Sequence, residues 1–73
     1  MRRLYEATLE FEATNPISGR KRRVSPGEFF VADAGQTGAS VLIEIDESLW
    51  LVEADALTRC AVVRPPSAGG TGL

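Results

Sequence analysis

Tyr5-Glu6-Ala7-Thr8-Leu9-Glu10-Phe11-Glu12-Ala13 alternates strictly: Tyr5, Ala7, Leu9, Phe11 and Ala13 fall on one side, Glu6, Thr8, Glu10 and Glu12 on the other. A period of two belongs to a half-buried β-strand, whose successive side chains point to opposite faces. A helix through the same residues would gather Leu4, Ala7 and Phe11 but leave Tyr5 and Leu9 on its wet side. The stretch therefore predicts a strand, and the rest of the chain reads as its partners.

Working outward, Thr14-Asn15-Pro16-Ile17-Ser18-Gly19 is a cluster of turn formers that reverses the chain. Residues 20–24 then return beside the first strand as its hairpin partner. Ser25-Pro26-Gly27 predicts a tight turn of type II, with proline followed by glycine. Residues 28–33 (Glu-Phe-Phe-Val-Ala-Asp) are aromatic and β-branched and read as the next strand, which ends in a glycine-containing loop over 34–40. Val41, Ile43 and Ile45 alternate with Leu42, Glu44 and Asp46, and Asp46-Glu47-Ser48 closes a hairpin onto Leu49-Trp50-Leu51-Val52. That last run is apolar on both faces, so it is expected to be central or covered. Ala54-Asp55-Ala56-Leu57 suits one turn of 3₁₀ helix before a final strand, Cys60-Ala61-Val62-Val63. Pro65-Pro66 stops that strand, because proline cannot donate to a ladder. One domain is expected over 1–64, with a disordered Pro/Gly-rich tail over 65–73.

This order of five short strands, hairpin connections and one helical turn before the last strand resembles the SH3-like small barrels. The resemblance covers about residues 4–64 and is topological, carried by Val24-Ser25-Pro26-Gly27-Glu28, by the 49–52 strand, by the 54–57 turn and by the 60–63 strand. It implies an all-β, five-stranded closed barrel and no single function.

Length and composition narrow the classes. A chain of 73 residues is one domain with a thin core, since a 60-residue domain buries only about 60% of its unfolded surface. A deep cleft is hard to build at this size, and homo-oligomerisation stays open. The lone cysteine, Cys60, has no intrachain disulfide partner and points to a reducing cytoplasm. Met1-Arg2-Arg3 imitates the start of an export signal, but Glu6, Glu10 and Glu12 interrupt the apolar stretch that would have to follow. No apolar run approaches the roughly 20 residues that cross a bilayer, so no membrane partner is expected.

The net charge is −2, unevenly spread: residues 1–23 carry +3 and residues 24–73 carry −5. The basic excess sits in Arg20, Lys21, Arg22 and Arg23, four adjacent cations that could neutralise phosphates or anionic groups on a partner. The alternative is pairing with Glu10 and Glu12 across the hairpin, which alternation allows to only about half of them. Gln36 and Thr37, in the 34–40 loop, are a second candidate contact. Glu44, Asp46 and Glu47 form a candidate acidic patch, with Glu44 and Asp46 about 7 Å apart on one strand face. Tyr5, Phe11 and Trp50 are expected in the core; Phe29 and Phe30 are adjacent, so one must face outward. With no histidine and one cysteine, histidine triads and the usual zinc sites are excluded. Gly35-Gln36-Thr37-Gly38 lacks the lysine of a phosphate loop. No metal and no cofactor are expected.

Three functions follow as expectations. The first is a non-enzymatic interaction module that binds a protein or nucleic-acid partner through the basic hairpin and the loop. The second is an acidic inhibitor of the kind phages and mobile elements encode, whose carboxylates mimic nucleic acid on a basic host protein. The third is enzymatic: the chain is similar in length and expected fold to the plasmid-borne trimethoprim-resistant dihydrofolate reductases, which build one active pore from four subunits. It departs from them where they carry a Val-Gln-Ile-Tyr run, having Leu49-Trp50-Leu51-Val52 instead.

Overall fold

The computed structural model describes residues 2–33 and 35–64; the tail expected over 65–73 lies outside the described residues. In chain order the elements are β1 (Arg2–Ala7), β2 (Phe11–Thr14), β3 (Lys21–Val24), β4 (Phe29–Asp33), β5 (Ser40–Ile45), β6 (Ser48–Glu53), α1 (Ala54–Cys60) and β7 (Ala61–Arg64). The strands form one antiparallel sheet of seven, ordered β3-β2-β6-β5-β4-β1-β7.

This corrects the expected closed barrel of five strands in two respects. The long first strand is broken: Thr8-Leu9-Glu10 is a bend, where the Thr8 and Leu9 N–H groups both donate to the Cys60 carbonyl, at 2.7 and 3.1 Å. The break has a simple cause. β1 pairs with β4 and β7, whereas β2 pairs with β3 and β6, and one straight strand cannot serve both sets. Leu9, expected inside, is turned outward and 57% exposed. The sheet also stays open, with β3 and β7 as its two edges. Lys21, Arg22 and Arg23 on β3 are the charges that typically keep an edge from pairing further.

The core forms because the sheet curls onto its own inner face. Phe11 on β2 and Phe30 on β4 lie three strand spacings apart along the sheet, about 14 Å if flat. Their ring centroids are 5.8 Å apart, edge to face, and Tyr5 stacks on Phe30 at 5.5 Å. Ala7, Ala13 and Ala32 line the same face and let the backbones approach, with Val24, Val41, Ile43, Ile45 and Val52 filling between. Of the adjacent phenylalanines, Phe30 is inside at 2% exposure and Phe29 outside at 52%. Trp50 is half-buried against this core, and its indole N–H has no acceptor among the described residues.

The segment before the last strand is a seven-residue α-helix, longer than the expected 3₁₀ turn. Ala54, Ala56 and Leu57 pack against the core and Cys60 is buried at its end. Asp55 in the first turn and Arg59 in the last complement the helix dipole. Two predicted turns take the expected form. Gly27 adopts φ 96° within the Ser25–Glu28 turn, closed by the Glu28 N–H to the Ser25 carbonyl at 3.1 Å. The β5–β6 hairpin turns on Asp46 and Glu47, both at positive φ of 52° and 67°. Two-residue hairpins require that geometry but favour glycine or asparagine for it.

Two stability predictions follow from these packings. Phe30→Ala should cost about 3–5 kcal/mol, enough to unfold a domain of this size, while Phe29→Ser should leave the midpoint of urea denaturation nearly unchanged. Glu47→Gly should relieve the positive-φ strain and stabilise by about 1 kcal/mol, read as a rise in Tm of roughly 4–8 °C.

Candidate interaction surface

Alternation that sends Tyr5, Phe30, Ile43 and Val52 inward sends their neighbours outward, and the register aligns those neighbours in rows. Leu42 lies opposite Leu51. In the next row Leu49, Glu44, Val31 and Leu4 are successive cross-strand partners over β6, β5, β4 and β1. A third row runs from Phe29 through Glu6 to Val62. Leu4, Leu42, Leu49, Leu51, Phe29 and Val62 are all exposed. Among the described residues nothing else lies over this face, because their one helix packs against β6 and β7 from the core side. Charges within it neutralise one another: Arg2 pairs with Glu44, and the Arg64 Nε donates to Glu6 at 2.7 Å. Between β4 and β5, which are in register over only two residue pairs, a recess of about 280 Å³ opens onto Val31, Leu42 and Leu49. Beyond Leu51 the surface becomes polar, with Glu12, Lys21 and Glu53 around a recess of about 390 Å³.

The basic run is spread over both faces of the hairpin. Lys21 and Arg23 point outward to Glu12 and Glu10, at 3.7 and 3.6 Å. Arg22 lies on the inner side, where the guanidinium meets Glu28 at 2.7 Å and Asp46 at 3.6 Å and sits 5.9 Å from the Trp50 ring centre. Glu28 also accepts the Ser25 N–H, at 2.8 Å, so Arg22 ties the type II turn to the β5–β6 hairpin. Arg20 makes no ion pair among the described residues; its N–H donates to Ser18 Oγ at 3.2 Å.

Gln36 is spent on structure. Its carboxamide accepts from the Leu42 N–H at 2.7 Å and donates to the Leu42 carbonyl at 2.8 Å. That mimics a strand partner on the side of β5 where β4 has ended. Thr37 is exposed beside it. The three acidic candidates are not brought together. Glu44 holds Arg2 on the outer face, whereas Asp46, in the turn, swings to Arg22, and Glu47 is left exposed.

The residues that sequence reasoning missed are the outer apolar ones: Leu4, Val31, Leu42, Leu49 and Leu51. A signal was present in Leu49-Trp50-Leu51-Val52, whose two apolar faces require either cover or a partner. No known protein family, curated protein or solved structure matches this chain.

Removing the bridging cation should separate its structural role from that of its neighbours. Arg22→Ala should destabilise by about 1–3 kcal/mol through lost charged hydrogen bonds and lost packing on Trp50. Lys21→Ala and Arg23→Ala should each stay within about 0.5 kcal/mol, as exposed pairs do. Urea denaturation of the three variants checks this ordering.

Proposed function

We propose that this chain is a non-enzymatic protein-interaction module that docks on its partner through the outer face of β6, β5, β4 and β1. The observation that carries the reading is the ordered row of exposed leucines and valines on that face, since contiguous apolar surface on a small domain marks contact sites. The strand order, with a helix directly before the last strand, supports an SH3-like small-barrel ancestry of the scaffold. Cys60, a free and buried thiol, supports a reducing, cytoplasmic setting. Among the described residues no helix is long and apolar enough to cross a membrane.

The nucleic-acid branch has less support, because Lys21, Arg22 and Arg23 already hold carboxylates of this chain. Displacing phosphate counterions with cations that are internally neutralised gains little. The same pairing weighs against phosphate mimicry, as Glu6, Glu10, Glu12 and Glu44 each face a cation.

A photoactivatable phenylalanine analogue in place of Leu49, with the same analogue at the exposed Thr58 on α1 as control, tests the module in cells. Protein adducts are expected from position 49 and not from 58; equal adducts at both, or none at 49, would overturn it. In parallel, titration with DNA and RNA should show no binding that weakens with salt. Salt-sensitive binding that is lost when Arg20, Lys21, Arg22 and Arg23 are charge-reversed would move the function to nucleic acid.

A further inference from the structure

We infer that the partner docks through an extended segment of its own chain, which adds a strand to β5 over residues 40–42 and displaces the Gln36 carboxamide. The inference rests on the module reading above and names what the partner presents at this point: main chain, with an apolar side chain beside it.

Within the sheet, β5 is only partly paired on the side of β4. The two strands run to six and five residues, yet their ladder holds two pairs, Val31 with Glu44 and Ala32 with Ile43. Over residues 40–42 the strand has β6 along one side and no strand along the other. A residue in a ladder turns its N–H and C=O to one side, and its neighbours turn theirs to the other. Leu42 aims both groups at Gln36, so Ser40, two residues back and exposed, aims its own the same way. An unpaired stretch of this kind is a template for a further strand, and strand addition is a general mode of peptide recognition.

Gln36 fills one position of that stretch. A neighbouring strand would offer Leu42 one acceptor and one donor, and the carboxamide imitates them, its Oε1 accepting at 2.7 Å and its Nε2 donating at 2.8 Å. Both bonds are exposed to solvent, and the side chain that makes them reaches in from a loop. An extended peptide makes the same two bonds with its main chain and continues along β5 to Ser40. Rotation of the Gln36 side chain is enough to free the position, because the loop backbone is held separately, by the Gly35 N–H on Asp33 Oδ1 at 2.9 Å.

The recess beside this position selects the side chain. Residues directly opposite one another on paired strands share a face. Leu42 projects outward, so the residue opposite it does too, against Val31, Leu42 and Leu49 in the recess of about 280 Å³. The charges at its rim, Arg2 and Glu44, already hold each other. Valine, isoleucine or leucine suits such walls, whereas a charged side chain would lose hydration there without gaining a partner.

Native-state hydrogen exchange of the unaltered chain is the first test. Departure of Gln36 exposes the Leu42 amide, which should exchange at least about tenfold faster than the Ile43 amide, held in the ladder with Trp50. Equal protection of the two overturns the inference. Random linear peptides selected on the full chain are the second. Their binding should move the amide resonances of Gln36, Ser40 and Leu42 and be abolished by N-methylation of a single main-chain amide. It should tighten roughly three- to tenfold in Gln36→Ala, where the competing pair of hydrogen bonds is gone. A glutamine that only braces its loop gives no such gain. Peptides that bind elsewhere, that tolerate N-methylation at every position, or that bind Gln36→Ala no better overturn the inference. Failure of the module reading looks different: position-49 adducts with a protein, without these effects at Leu42, sink strand addition alone, while the absence of any adduct at 49 sinks both.

Discussion

Everything in this fold depends on a single sheet having to enclose its own core. With seven short strands and one seven-residue helix, the described residues hold no second layer for the inner face to meet. The sheet must bend until β2 and β4 touch across it. The Phe30 ring is the point where that bending converges, stacked on Tyr5 and met edge-on by Phe11. Aromatic pairs of this geometry add to the burial energy, and the alanines around them keep the backbones close. The break at Thr8-Leu9-Glu10 is part of the same solution, since it hands the chain from one side of the curl to the other and is held by the carbonyl that ends α1.

Curling in one direction leaves the other face uncovered among the described residues. Charge is committed to contacts within the chain: to the ion pairs on that face that balance β1 against β5 and β7, to the hairpin pairs of β2 and β3, and to Arg22. That residue joins two turns and lies beside the Trp50 ring. Much of the charge among the described residues is therefore internal bracing, and the side chains that the outer rows leave to solvent are mostly leucine and valine.

How much of this was legible varies by residue. The period of two placed Tyr5, Ala7, Phe11 and Ala13 inside, and the opposition of Phe29 and Phe30 followed from adjacency alone. Pro26-Gly27 specified its turn because proline and glycine fix backbone angles locally. The same rule failed at Leu9, because alternation continues unbroken through a bend imposed by pairing partners far along the chain. It failed again at 54–60, where contact with the core extended one turn into a helix. The hairpin at Asp46 and Glu47 was legible, but its positive φ was not, because no glycine announces it and the strands on either side impose it. Gln36 looked like a loop residue free to bind, because nothing local shows that β4 ends too soon to satisfy Leu42.

The sequence by itself determined the secondary structure period, the turns built on proline and glycine, and the inward set of side chains, because each of these is settled by neighbours within a few residues. Only the tertiary structure decided that the first strand is two, that the sheet stays open, that Arg22 turns inward to two carboxylates, and that leucines from three strands share one face that no other described residue covers. Those outcomes depend on which strands meet and in what register, and that is set by long-range packing around Phe30 that no local pattern encodes.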